Sequence, residues 1–161
     1  MKQILKLSLA NIIENTMLLT VSPKDLIRDV ACKMTGYNVS AAAVLDSKGY
    51  RIGIITEHDI VKKAVSVYRN VDETTAEAVM ARDIVSVPVK GSVSSALARM
   101  SNKNVRHLPV MNGSKVVGIV DVRDLYGAMN NALTDRIQKS EEMLAYAYGA
   151  PYSVELSSNA A

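Results

Sequence analysis

Two aspartates stand in the same local pattern, sixty-five residues apart. One lies in Gly53-Ile54-Ile55-Thr56-Glu57-His58-Asp59-Ile60, the other in Gly118-Ile119-Val120-Asp121-Val122-Arg123-Asp124-Leu125. In each, a helix-capping type of residue, Thr56 or Asp121, precedes the aspartate by three positions. That spacing puts each carboxylate in a first helical turn, beside backbone N–H groups that no helical carbonyl satisfies. An ionised carboxylate accepts two hydrogen bonds at once, and the free N–H groups suit an anion. The same residues read equally well as helix caps, stabilising by ~1 kcal/mol each with no ligand at all.

The elements that must position these aspartates are repeated too. Thr20-Val21 matches Ser86-Val87, Met34 matches Met100, and Ser40 to Val44 matches Arg106 to Val110, all at a spacing of 66. The spacing drops to 65 only across Asp46-Ser47-Lys48-Gly49, which faces the shorter Asn112-Gly113-Ser114. A single length change inside a turn is what a structural repeat tolerates best.

In chain order, residues 3–15 carry a rough helical stripe and Leu18 to Val21 a short β-type run. Ser22-Pro23-Lys24-Asp25 reads as the capped start of a helix that ends at Gly36. Ala41 to Leu45 and Arg51 to Ile55 read as a hairpin. Thr56 then caps a helix whose inward face is expected to hold Ile60, Val61, Ala64, Val65 and Tyr68. Thr74-Thr75-Ala76-Glu77 reads as a capping box opening a short helix to Met80. The second half repeats the plan: a strand over Ile84 to Val87, a helix over Ser92 to Met100, a hairpin of Leu108 to Met111 with Lys115 to Val120, and a helix from Asp121 toward Glu141-Glu142. The tail after Gly149 has small polar residues and no period. A unit of about 60 residues is marginal alone, so two are expected to share an apolar surface.

Composition narrows the classes. With 48% apolar residues but no Phe or Trp, the core must come from Val, Ile, Leu, Met and Ala. The net charge of +3 is scattered, and stacking aromatics are few, which argues against a nucleic-acid surface. The single cysteine, Cys32, allows no intrachain disulfide and is expected as a buried or half-buried thiol; the methionines are expected as core filling. No nucleophile–base–orienter set and no metal-ligand spacing is apparent, so no enzyme and no metal site is expected. No run reaches the ~20 apolar residues of a membrane span, and no signal-peptide run is present, so a cytoplasmic location is expected.

This order of elements, with Gly-x-x-Thr/Ser-x-x-Asp opening each last helix, resembles the CBS domain (named after cystathionine β-synthase) over roughly residues 8–130. Two in tandem form a Bateman module. The resemblance implies an α/β (α+β) fold of two β-α-β-β-α repeats packed by pseudo-two-fold symmetry. The first domain is expected over 8–70, the second over 71–130, and a C-terminal helix extension with a tail over 131–161. It implies a regulatory module that needs no cofactor and binds AMP, ADP, ATP or S-adenosylmethionine in the cleft between the domains, reporting to an unidentified effector protein. Tandem pairs of this family commonly dimerise, so a homodimer is expected, with no membrane and no nucleic-acid partner.

On the same resemblance, Asp59 and Asp124 hold ribose hydroxyls, and Thr56 and Asp121 contact ribose or phosphate. Thr20 and Ser86 lie on strands that lend backbone groups to adenine. Val105 to Val110 fits the family's habit of a basic pair before a strand: Arg106 is placed to hold a phosphate, with His107 beside it. Pseudo-symmetry sends Ser40 to the Asp124 site and Arg106 to the Asp59 site. Each of these has a plainer reading, as a solvated strand-edge arginine, a structural histidine or ordinary strand hydroxyls. The Asp59 corner keeps the family pattern. Asp121 stands where the family prefers Thr or Ser, and a second carboxylate there repels phosphate and suits an unphosphorylated or cationic ligand. The alternative is a structural dimerisation module whose clefts stay empty.

Overall fold

The computed structural model describes residues 7–14 and 16–148. Two three-stranded sheets of the same order carry the molecule. The first is β1 (Thr20–Val21), β2 (Ala41–Leu45) and β3 (Arg51–Thr56); the second is β4 (Val87–Pro88), β5 (His107–Asn112) and β6 (Lys115–Asp121). In each, the first strand runs parallel to the second and the second antiparallel to the third. The helices are α1 (Leu9–Ile13), α2 (Ile27–Gly36), α3 (Glu57–Lys63), α4 (Ala76–Val79), α5 (Val93–Lys103) and α6 (Val122–Tyr148), with a 3-10 turn at Val65–Val67. The two hairpin turns carry Gly49 at φ +79° and Gly113 at φ +60°, where a side chain would strain the backbone. The length difference between the repeats falls in these turns, as the spacing predicts.

The two cores exchange their leading helices. The first core gathers Ile27, Val30, Met34, Val44, Ile55 and Ile60, and adds Ala76, Val79 and Met80 from α4, the opening helix of the second repeat. The second gathers Val87, Val93, Met100, Leu108, Val120 and Leu125, and adds Leu9 from α1. Backbone bonds fix both exchanges. Leu9 N–H donates to Gly91 O at 3.0 Å and Val93 N–H to Leu7 O at 3.0 Å. Ile27 N–H donates to Thr74 O at 2.9 Å, and Ala81 pairs with Ile54 as an isolated bridge. The repeated glycines exist for this packing. A Cβ on Gly53 would run into Met80, and one on Gly118 would lie 2.7 Å from Ile13 Cγ2. Between the sheets, Ala41, Ala43, Ile54 and Ile119 form a third cluster, where small side chains let β2 approach β6.

Several local expectations give way to tertiary packing. Ser22 caps no helix: its Oγ accepts from Lys24 N–H in a turn, and α2 begins at Ile27 behind an uncapped Leu26. Thr75 makes no cap bond to α4, and Thr74 Oγ1 donates to Asn70 O instead, so the expected box is absent. The helix opened by Thr56 stops at Lys63; Ile60 and Ala64 are buried, but Val61, Val65 and Tyr68 are exposed. The strand expected over Ile84 to Val87 is shorter and later, at Val87–Pro88. Cys32 is exposed rather than buried. Helix α6 runs on to Tyr148. The expected tail beyond it, and the start of the expected first helix before residue 7, lie outside the described residues.

Candidate ligand-binding cleft

The two signature corners have different hydrogen bonding. At the first, Thr56 ends β3 and caps α3. Asp59 N–H donates to Thr56 Oγ1 at 3.2 Å, while Asp59 Oδ2 accepts from Thr56 N–H at 3.1 Å and from the Thr56 hydroxyl at 2.6 Å. The other carboxylate oxygen, Oδ1, holds Lys63 Nζ at 2.7 Å, one helical turn on. Lys63 also donates to Val79 O at 2.8 Å and so ties α3 to α4. Both oxygens of Asp59 are engaged inside the protein.

At the second corner the cap is Asp121, which has no proton to donate. Asp124 Oδ2 accepts from Asp121 N–H at 3.0 Å, and Oδ1 has no partner among the described residues. The Asp121 carboxylate turns to Arg123, whose N–H and Nε reach Oδ1 at 2.7 and 3.1 Å and whose Nη2 reaches Oδ2 at 3.2 Å. Burial alone would raise the Asp121 pKa, but the bonds from Arg123 and the nearby His107 hold it below the usual carboxylate range. His107 Nε2 lies 3.0 Å from Asp121 Oδ2 and 2.7 Å from Ser40 Oγ. Burial pushes the His107 pKa down, against the pull of Asp121, so the ring is neutral near pH 7. A carboxylate facing Nε2 places the ring proton there.

This cluster holds a serine, a histidine and an aspartate, yet it is not a nucleophilic triad. Both partners meet the same ring nitrogen, and Nδ1 has no hydrogen-bond partner among the described residues. A relay needs the acid on one nitrogen and the nucleophile on the other. What the cluster does is join the halves, since Ser40 leads into β2 and His107 opens β5.

A cleft of about 330 Å³ opens at this second corner, lined by Thr16, Met17, Tyr37, Asn38, Val39, Ser40, Ala41, His107, Ile119, Asp121, Arg123 and Asp124. Both halves contribute. A smaller cleft of about 220 Å³ lies across the Ser40–His107–Asp121 wall, lined by Thr56, Glu57, His58, Arg106, Val122 and Arg123 as well as that wall. Ser40 thus stands with Asp124, and Arg106 stands near Thr56. Asp59 lines neither cleft. Thr20 lines a separate, more open depression of about 690 Å³ with Pro23, Lys24 and Asp46, and Ser86 offers its carbonyl to Arg99 at 3.2 Å; neither borders the two clefts. The rim residues that periodicity did not single out are Thr16, Met17, Tyr37 and Asn38. The only signal for them lies in the repeat itself: Asn38 and its counterpart Asn104 both take the left-handed conformation, and Tyr37 precedes the first where Lys103 precedes the second.

Among the described residues no helix is long and apolar enough to cross a membrane, and no group of three His, Cys, Asp or Glu is placed to hold a metal. The CBS domain family model matches residues 11–66 and 76–131. An uncharacterized 17.7 kDa protein of Acidianus ambivalens is 36% identical over 81% of this chain and 78% of its own length. The match to the uncharacterized protein MK0525 of Methanopyrus kandleri is 33% identical and spans only about half (55%) of that protein. A putative signal-transduction protein with CBS domains from Burkholderia ambifaria superposes with a TM-score of 0.69 at 28% identity, over 74% of this chain and 90% of that one. The CBS domain pair of protein MJ0100, solved with 5′-methylthioadenosine and S-adenosyl-L-methionine, gives a TM-score of 0.69 at 24% identity over 78% and 97%. With two matched repeats, two like sheets and this interdomain cleft, the chain belongs to the CBS domain family as a tandem pair.

Proposed function

We propose that the chain is a regulatory module that binds an adenosine-containing ligand in the cleft at Asp124. The observation that carries this reading is the carboxylate of Asp124, which borders a cleft built from both halves and keeps one oxygen unengaged. Its two oxygens suit the vicinal hydroxyls of a ribose. The cleft volume falls in the range of ~300–1,000 Å³ that holds small ligands. Tyr37, Met17 and Ile119 offer apolar surface for a base. The adenosine derivatives bound by the MJ0100 pair support the ligand class.

Charge sharpens the choice. Arg123 offsets Asp121, His107 is neutral, and Asp124 leaves the cleft with one net negative charge. Such a cleft disfavours a phosphate and favours an uncharged or cationic nucleoside, such as 5′-methylthioadenosine or S-adenosylmethionine. Because both halves line it, an occupant favours one relative placement of the halves, which a partner protein can read.

Titration calorimetry with 5′-methylthioadenosine, S-adenosylmethionine, AMP and ATP tests this. Saturable heat is expected from the first two ahead of the nucleotides, and is expected to vanish in Asp124→Ala. No heat from any of the four, with no thermal stabilisation, would replace this reading with that of a structural module.

A further inference from the structure

The two hairpins share one irregularity. In the first, Val44 pairs with Gly53 and Leu45 with Arg51, so Ile52 is an extra residue. In the second, Val110 pairs with Gly118 and Met111 with Val116, and Val117 is extra. Directly paired residues point to the same face of a sheet. Arg51 therefore lies on the face of Leu45, which packs on the cluster of Ala41, Ala43, Ile54 and Ile119 between the sheets. Its counterpart in the second repeat is Val116, which packs on the same cluster, with Ala81 and Ile84 joining from the segment between the repeats. One repeat thus sets a valine at this apolar seam, and the other a guanidinium. Nothing in the chain answers that charge. Arg51 Nε and Nη1 are fully buried and have no hydrogen-bond partner among the described residues. Asp46, the acid nearest in sequence, accepts instead from Lys48 and Tyr50 N–H, at 2.9 and 2.8 Å. Burial lowers the Arg51 pKa with no carboxylate opposing it, yet a guanidinium stays charged. Water cannot supply the missing bonds while the seam is closed, because neither atom has surface for it to touch.

We propose that Arg51 is a wedge in the seam between the two sheets: it keeps a minor, parted arrangement populated, in which the Leu45 end of the seam opens and the guanidinium is hydrated. The argument is one of relative cost. An unpaired buried charge is among the costliest groups a fold can hold. The cost falls on the closed arrangement alone. An opening that wets the guanidinium recovers it while both cores stay intact, so the gap between closed and parted states narrows. The opening is confined to one end. Just before the start of β2, Ser40 Oγ and His107 Nε2 hold the halves together at 2.7 Å. At ~3.3 Å per residue, Leu45 lies roughly 16 Å along the strand from that clasp. The segment between the repeats closes the same seam: Ile54 N–H donates to Ala81 O at 3.0 Å, and Ala81 N–H returns a bond to Ile54 O at 2.8 Å. Those two bonds report the parting. Both clefts are lined from both halves at the clasp end, so the tilt of one sheet on the other sets their shape. The inference stands whether or not a nucleoside binds there.

Residue-level hydrogen exchange of the full chain tests this. In the unsubstituted protein the amides of Ile54 and Ala81 should exchange at least about ten-fold faster than those of Leu97 to Met100 in α5, whose exposure needs the second core to unfold. Arg51→Met, uncharged and of similar length, should slow Ile54 and Ala81 at least about ten-fold, because the closed seam no longer buries a charge. Lys48→Met removes an exposed cation from the same hairpin and should leave both rates within about two-fold. Circular dichroism checks that each variant is folded. Arg51→Val, which installs the residue type of the second repeat, decides the matter if Arg51→Met does not fold. Ile54 and Ala81 amides as slow as those of α5 overturn the proposal. So does an exchange there that the Arg51 substitution leaves unmoved, or that Lys48→Met slows equally.

Discussion

The Thr56–Asp59 corner and the Asp121–Asp124 corner descend from one pattern, and two substitutions between them decide which is open. Threonine has a hydroxyl proton, and Thr56 puts it into Asp59 at 2.6 Å. Asp121 has none, so Asp124 receives only a backbone N–H. One turn on, Lys63 seals the second oxygen of Asp59, while the equivalent position in the second repeat is Ala128. The motif closer to its family pattern is therefore the self-satisfied one, and the departed motif keeps one carboxylate oxygen unengaged among the described residues. A hydrogen-bonding residue is available to a partner only if its neighbours leave it so.

The two corners should answer the same substitution differently. If Asp124 is the ribose anchor, Asp124→Ala should weaken nucleoside binding by about 30-fold, the ~2 kcal/mol of hydrogen bonds to a charged group. Asp59→Ala should leave the affinity within two-fold; calorimetry on both variants decides, and the reverse order would return the site to the first corner. The glycines come next. Gly118→Ala drives a Cβ to 2.9 Å from the Cβ of Ile13, a stiff β-branched neighbour, and should cost ~2–3 kcal/mol in urea unfolding. Gly53→Ala meets mainly the flexible end of Met80 and should cost nearer ~1 kcal/mol.

Stability separates the carboxylates in the opposite sense to binding. Asp59→Ala removes one half of a capping box and should cost ~1–2 kcal/mol, more than Asp124→Ala on the same scale. Transplanting the seal is a finer probe: Ala128→Lys places an ammonium one turn beyond Asp124 and should reduce nucleoside affinity several-fold without unfolding the chain. The smallest effect is with pH. His107, held neutral by burial, has a pKa below its ordinary 6.5, so the unfolded chain takes up its proton more readily. The stability this contributes is present above pH 6.5 and is lost as pH falls through that range. Thermal melts from pH 7.5 to 5.5 should show the decline, and His107→Asn should flatten it.

Much of this fold was legible because a repeat constrains itself. Gly53 and Gly118, the hairpins and the change of length between Gly49 and Gly113 each had a twin to check against. What a period does not carry is the identity of the surface an apolar face meets. The stripes of α1 and α4 were readable, but not that each crosses to the other core. Ser22 and Thr74 fit capping patterns and were drawn into turns by nearer backbone partners. Val61 and Val65 kept a helical spacing past the point where the helix ends at Lys63. At the site, the aspartates were visible in sequence and their availability was not, because it depends on Lys63 and on the Asp121–Arg123–His107 contacts. Tyr37 and Met17 belong to no motif and reach the cleft only because the second half closes over them.

The exchange of leading helices also sets an order of assembly. As the chain is synthesised, α1 emerges well before its partners in β4, α5, β6 and α6. The first half, for its part, stays open until Ala76, Val79 and Met80 are made. Neither half can be completed from its own stretch of chain, so the first holds unmatched apolar surface through most of translation. Contacts this distant in sequence slow folding and bind the whole into one cooperative unit. A break near residue 70 would therefore separate the gene into two pieces without separating the protein into two domains.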